Sequence, residues 1–303
     1  MQQLLAAAKK NPDIVLVTGD LGYGVLDVFE QTLPEQFINA GVAEQSMLSM
    51  AAGMASTGKR VFVYSIGNFP TLRALEQIRN DICYMNNSVV IVAVGAGYAY
   101  GPQGYTHHAL EDIAVMRALP NLEVLAPADN FEASALTSYL ASSNLPAYLR
   151  LGKSMGSSNP IALTSKIERG NLRCWSTGDD GIILFCGSIG ANVLDARERL
   201  SDLGLSVAVY SAPFLSEFEP NSFIHAIGSR PVLTVEEHSP VGGLGSAVLE
   251  LVASLGIRNR IRVLGANRKN LSEVGDQEYL RDRNGLGVDD IVEAFTQLVA
   301  GQS

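Results

Sequence analysis

Short, continuous apolar runs recur along this chain, and a helical pattern follows nearly every one of them. Ile14-Val-Leu-Val17, Arg60-Val-Phe-Val-Tyr64, Ser88-Val-Val-Ile-Val-Ala-Val94, Leu122-Glu-Val-Leu125 and Ala147-Tyr-Leu-Arg-Leu151 have strand length and β-branched content. They are not simple apolar–polar alternations, so both faces of each strand need cover. Between them, Ala43 to Ala55, Thr71 to Tyr84 and Asn130 to Ala141 read as helices. Strands alternating with helices predict a parallel sheet covered on both faces. Gly152-Lys-Ser-Met-Gly-Ser-Ser-Asn-Pro160 breaks the rhythm with turn-forming residues. The rhythm then resumes. Strands are expected at Gly181–Phe185, Leu205–Tyr210, Pro231–Val235 and Arg260–Leu264, and helices at Ala191–Leu203, Gly245–Leu255 and Val288–Val299. The expected fold class is α/β, with two parallel-sheet domains at 1–155 and 179–303 and a linker at 156–178.

The 303 residues suffice for two ordinary domains. A hydrophobic fraction of 47% against 17% charged residues supplies their cores. The formal charge is −9 and no Lys/Arg cluster exceeds a pair, which argues against nucleic acid as a partner. The N-terminal stretch lacks the layout of a secretory signal. Val89–Val94, the longest apolar stretch, is too short to span a bilayer, so no membrane is expected. Cys83, Cys174 and Cys186 are widely spaced and form no Cys-x-x-Cys, so neither a disulfide framework nor a zinc site is expected. A reducing cytoplasm fits best.

One acid interrupts the small, apolar, helical run Phe37–Ala55. At helical spacing Glu44 shares its stripe with Met47, Leu48, Ala51, Ala52 and Ala55, positions that call for a core. Glutamate is rarely buried without a partner. Either Glu44 faces the positive end of a helix, or it waits for a group outside that helix. The loop Gly95-Ala-Gly-Tyr-Ala-Tyr-Gly-Pro-Gln-Gly-Tyr-Thr-His-His-Ala-Leu-Glu-Asp112 follows the Val89–Val94 strand and carries His107 and His108, two of the four histidines. Open α/β sheets place ligands at that edge. Adjacent residues do not share a helix face, so the His-His pair is not read as a metal site. Cys186-Gly-Ser-Ile-Gly190 and Val241-Gly-Gly-Leu-Gly-Ser246 are glycine-rich strand-to-helix turns without the dinucleotide fingerprint.

Three ordered segments together resemble one family. They are Ile38-Asn-Ala-Gly-Val-Ala-Glu44 with Ala51-Ala-Gly-Met-Ala55, then Gly104-Tyr-Thr-His107, then Val235-Glu-Glu with Gly242-Gly-Leu-Gly-Ser246. The chain resembles the C-terminal half of transketolase and of its relative deoxyxylulose-phosphate synthase: a pyrimidine-binding domain plus a small C-terminal domain. The resemblance implies that Glu44 bonds a ring nitrogen of the aminopyrimidine of thiamine diphosphate and so activates the cofactor. It implies proton handling and substrate-hydroxyl contact for His107. Phe69 would stack on the pyrimidine, with Pro70 the neighbouring alternative. Asp20 and Leu21 match an Asp-Leu beside the cofactor, although Asp20 could equally be a turn cap. Arg150 aligns with an arginine at the phosphate end of the substrate, or it is a surface ion pair. Gln103 stands where transketolase has an aspartate that reads a substrate hydroxyl, and Gly95 where it has a phosphate-binding histidine. These departures imply a substrate unlike the common sugar phosphates. His108 and Asp112 are expected to support rather than to react.

The family's Gly-Asp-Gly, which holds diphosphate and metal, does not occur in this sequence. The resemblance therefore implies a separate N-terminal, diphosphate-binding partner subunit carrying Mg2+ (or Ca2+), with the site formed between chains, in an α2β2 assembly. No metal site is expected on this chain. The expected function is that of the C-terminal subunit of a split transketolase moving a two-carbon ketol unit from a ketose to an aldose-type acceptor. The alternatives are the β subunit of a 2-oxo-acid dehydrogenase, a deoxyxylulose-phosphate synthase-like enzyme, and a non-catalytic regulatory subunit.

Overall fold

The computed structural model describes residues 1–152, 166–267 and 270–301. Strands β1 (Ile14–Thr18), β2 (Phe37–Asn39), β3 (Arg60–Ile66), β4 (Val89–Val94), β5 (Glu123–Leu125) and β6 (Ala147–Leu151) form one sheet in the order β2-β1-β3-β4-β6-β5. All of its pairings are parallel. The apolar runs at its centre are buried on both faces, as their lack of alternation requires. Helix Glu44–Ser56 and the segment Phe69–Tyr84 lie on one face, where Val17, Val63 and Ile91 meet Met47, Leu48 and Ile78. Helices Gln2–Ala8 and Asn130–Ser142 cover the other, over Leu16, Phe62 and Val90.

The second sheet holds β7 (Arg173–Ser176), β8 (Gly181–Cys186), β9 (Val207–Ser211), β10 (Val232–Glu236) and β11 (Ile261–Gly265), in the order β11-β10-β8-β9-β7. Only β7 is antiparallel to its neighbour. It lies within the stretch 156–178 expected as a linker, yet it is a paired edge strand. Most of the polar run 152–160 lies outside the described residues. The two sheets are joined through β5: Leu215 N–H donates to the Val124 carbonyl at 2.8 Å, and Ala126 N–H to that of Pro213 at 3.0 Å. These bonds tie the C-terminal edge of one domain to the other.

Two local departures shape the site. Phe37–Asn39 does not continue a helix; it pairs in parallel with β1, Leu16 facing Phe37. The chain then turns at Gly41 (φ +70°), and the helix begins at Glu44. The segment expected as one helix, Thr71–Tyr84, is wound wider: i→i+5 turns at Phe69–Arg73 and Ile78–Tyr84 flank a single α turn. Such widened turns concentrate at functional positions.

Candidate active site

The C-terminal edge of the first sheet gathers most of the residues that the sequence singled out. Glu44 is the first residue of its helix, and Ala43 before it offers no side-chain cap to the turn. Glu44 is 4% exposed and lies on the buried stripe of Met47, Leu48, Ala51, Ala52 and Ala55. Both expectations therefore meet in one residue: Glu44 faces the positive helix end, and it is buried. It also has a partner within the chain that local spacing does not reveal. Arg73 Nη1 donates to Glu44 Oε2 at 2.9 Å, while the Arg73 side chain stays 53% exposed. Among the described residues no hydrogen bond to Glu44 Oε1 is present.

From Arg73 the site extends to the histidine loop. The Arg73 guanidinium lies 5.0 Å from the centre of the Phe69 ring. That ring meets the His107 imidazole edge-on at 5.3 Å. Glu44, Arg73, Phe69 and His107 are thus consecutive neighbours. Of the two candidates for the stacking position, Phe69 presents a half-buried ring and Pro70 is buried. His107 is partly exposed, on the short turn Tyr105–His107, and its Nδ1 is 3.0 Å from Thr106 Oγ1. His108 points inward: Nε2 lies 3.2 Å from the Gly101 carbonyl, and the ring packs edge-on against Tyr98. Burial pushes its pKa down, which suits support rather than proton transfer. Gln103 is exposed on the turn Gly101–Gln103 of the same loop.

Asp20 follows β1 in a left-handed turn (φ +58°) and caps no helix. Its carboxylate accepts from Tyr23 Oη at 2.8 Å and Asn39 Nδ2 at 3.1 Å. These bonds, that from Asn39 foremost, hold its pKa below the usual value. Asn39 Oδ1 in turn accepts from the N–H groups of Asp20 and Gly41. Asn39 therefore stitches the Asp20 turn to the approach of the Glu44 helix, a role that its place at a strand end did not betray. Leu21 is partly buried and its carbonyl accepts from Thr18 Oγ1.

Arg150 departs from the expectation. It is 2% exposed, and its guanidinium donates to Asp112 Oδ2 at 2.7 Å and to the carbonyls of Ala109 and Glu237. Tyr148 Oη donates to the same Asp112 oxygen at 2.6 Å. Burial would raise the Asp112 pKa, but Arg150 beside it and these bonds bring it below the usual carboxylate range. Arg150 is thus neither a surface ion pair nor an open phosphate ligand; it braces the base of the histidine loop. Among the described residues no cluster of three or more His, Cys, Asp or Glu side chains could hold a metal. No helix among them is long and apolar enough to cross a membrane.

A buried carboxylate joined through Arg73 to a half-buried aromatic ring and an imidazole is a set suited to a flat, protonatable heterocycle. The carboxylate can hold a proton on a ring nitrogen, and the aromatic ring can pack on its face. The family model for the transketolase pyrimidine-binding domain matches residues 1–157, and that for the transketolase C-terminal domain matches residues 170–291. A protein of Methanocaldococcus jannaschii named as a transketolase C-terminal section is 36% identical over 270 residues, 88% of this chain and 84% of its own length. An apulose-4-phosphate transketolase subunit of Actinobacillus succinogenes is 30% identical over 98% of this chain and 96% of its own. A solved split-gene transketolase, in an inactive β4 tetramer, superposes with a TM-score of 0.88 at 32% identity, covering 100% of this chain and 97% of that one. The chain belongs to the transketolase family, of which it carries the pyrimidine-binding domain followed by the C-terminal domain.

Proposed function

We propose that this chain is the cofactor-activating subunit of a split, thiamine-diphosphate-dependent transketolase that moves a two-carbon ketol unit from a ketose to an aldose-type acceptor. The observation that carries the reading is the run of neighbours Glu44, Arg73, Phe69 and His107 at the sheet's C-terminal edge. Thiamine diphosphate, when bound, supplies the electron sink for carbon–carbon bond cleavage. Glu44 holds and returns a proton at the aminopyrimidine, with water kept away by the helix stripe beneath it. Phe69 offers a ring to pack against that heterocycle. His107, partly exposed, exchanges a proton with the substrate hydroxyl next to the reacting carbons. Asp20 and Leu21 line the approach between β1 and the Glu44 helix, and Gln103 faces the substrate end.

Nothing in the sequence offers the Gly-Asp-Gly that would hold the diphosphate and its Mg2+ (or Ca2+). A separate N-terminal subunit supplies them in this reading, in an α2β2 complex in the cytoplasm. The test is to co-express the chain with a chain containing Gly-Asp-Gly encoded beside it and to assay ketol transfer with and without thiamine diphosphate. The relative named for apulose 4-phosphate makes that sugar phosphate the first substrate to try. Transfer that needs both chains and the cofactor, and that is lost in Glu44→Ala with the complex intact, is the expected result. Tight cofactor binding by this chain alone, or full activity of Glu44→Ala, would overturn it. Turnover only with pyruvate or another 2-oxo acid would place the chain with the synthase or dehydrogenase enzymes instead.

A further inference from the structure

The loop that carries His107 belongs to the first domain, yet much of its seat is made by the second. At its base Gly97 and Ala109 exchange backbone hydrogen bonds at 3.1 and 2.9 Å. Just inside that closure Tyr98 N–H donates to Glu237 Oε1 at 2.6 Å, across the domain junction. Glu237 follows β10 and is 2% exposed. Gly97 is in the left-handed region (φ +61°), and a Cβ there would lie 2.4 Å from the same carboxylate oxygen. Only glycine lets the acid approach the loop so closely. Further along, a Cβ on Gly101 would lie 2.3 Å from the Gly275 carbonyl, so the loop backbone is pressed on the second domain there too.

Glu237 is itself fixed from its far side. Arg281 Nε donates to Oε2 at 2.7 Å, and Gln277 Nε2 lies 2.9 and 3.1 Å from the two carboxylate oxygens. Gln277 and Arg281 are four apart on the helix Gln277–Arg283, so they present together. An Arg–Glu pair serving packing alone would have no need of a backbone N–H from another domain. Here the carboxylate links that helix to the loop, and the loop carries the imidazole that faces Phe69.

We infer that Glu237 is a positioning residue for His107: held by Arg281 and Gln277, it sets the loop so that the imidazole meets Phe69 beside Glu44. The inference rests on the proposed role of His107. It gives the Val235-Glu-Glu segment a function that its sequence context alone did not supply.

The test uses the full chain with its partner subunit and isotope-labelled histidine. With four histidines in the sequence, the ring signals can be assigned one by one. In the parent, His107 should show a through-space contact to the Phe69 ring. In Glu237→Gln that contact weakens and the His107 signals move, while those of His225, exposed on the helix Pro220–Ile227, stay in place. The turnover number kcat falls by up to about 100-fold with KM for the ketose little changed, as expected for a displaced catalytic group. Should Glu237→Gln not fold, Gln277→Met, which leaves Arg281 on the carboxylate, should give the same changes at smaller size. A folded variant with unmoved His107 signals and an intact Phe69 contact would overturn the inference, as would equal shifts at all four histidines. The spectra need no turnover, so a complex with no transferase activity in which Glu237→Gln still displaces His107 would sink the functional reading and leave the clamp standing.

Discussion

The ring of Tyr100 stands where a side chain at position 95 would have to go: an ideal Cβ on Gly95 would lie 2.2 Å from Tyr100 Cε2. Gly95 also holds a φ of +88°, which side chains disfavour. The resemblance to transketolase puts a phosphate-binding histidine at this position. Two separate obstacles, a ring and a backbone angle, keep it out of this chain. Gly95→Ala should therefore destabilise the first domain by about 1–3 kcal/mol. The double variant Gly95→Ala/Tyr100→Ala should regain the steric part and keep the backbone part. Urea unfolding of the three proteins checks this, and a Gly95→Ala protein as stable as its parent would sink the steric account.

Glu44 and Arg73 invite a different substitution. Arg73 is half exposed, so its ion pair is weak, within the range of about 0–1 kcal/mol for such pairs. Replacing the buried acid with a neutral amide of the same size removes a buried charge and keeps the packing on Met47 and Leu48. Glu44→Gln should therefore leave the melting temperature close to that of the parent. Ketol transfer should fall by about 100- to 10,000-fold, the usual cost of losing a proton-transferring group. A stability loss that tracked the activity loss would make Glu44 a structural residue.

The sheet order of the first domain was not legible in the sequence. Its strands largely were, because β1, β3, β4 and β6 are central and read as mostly apolar runs without simple alternation. The short edge strand Phe37–Asn39 hid inside a run of small residues that suits a helix equally well; only its pairing with β1 settles it. Edge strand β7, short and antiparallel, hid in the same way in the expected linker. Glu44 and His107 could be named because they sit in motifs of fixed local spacing; Phe69 does not, and Pro70 beside it stayed an alternative until the ring was seen to meet His107. Arg73 could not be named, since its partner lies 29 residues away and an arginine on a helical pattern looks like surface. Arg150 was misplaced for a similar reason. Its partners Asp112 and Ala109 lie 38 and 41 residues away in the same domain, and Glu237 lies in the other domain.

That placement makes Arg150 a stability residue first. Asp112 is fully buried and its charge is compensated mainly by Arg150. Arg150→Met should leave the carboxylate stranded and cost about 3–5 kcal/mol. Removing the acid as well, in Arg150→Met/Asp112→Leu, should cost clearly less than the sum of the single changes. A double-mutant cycle by denaturant unfolding measures the coupling. Strict additivity would mean that the pair does not act as a unit.

The pH dependence of stability should turn on two buried groups 3.7 Å apart, Glu236 and His238. Burial pushes Glu236 up to about 7, against the N–H groups of Gly245 and Leu244 that donate to its carboxylate. Burial pushes His238 down to about 4, against the pull of Asp112. The neighbours of His238 agree with a neutral ring: Nδ1 faces the Ser239 carbonyl at 2.6 Å, and Nε2 faces the Ala114 N–H at 3.4 Å. The signs oppose. Between the ordinary carboxyl value of 4.5 and about 7 the native state binds the Glu236 proton more tightly than the unfolded chain, so this contribution is lost as pH rises. Between about 4 and the ordinary histidine value of 6.5 the unfolded chain holds more protons at His238, so that contribution grows as pH rises. The two slopes offset each other in the parent. Glu236→Gln removes the falling one, so its stability relative to the parent should improve as pH goes from about 5 to about 7, by about 1–3 kcal/mol. His238→Gln removes the rising one, so its stability relative to the parent should decline over the window from about 4 to 6.5, a slope of opposite sign. Melting curves of the three proteins at closely spaced pH values decide it, and parallel curves would mean that neither group titrates while buried.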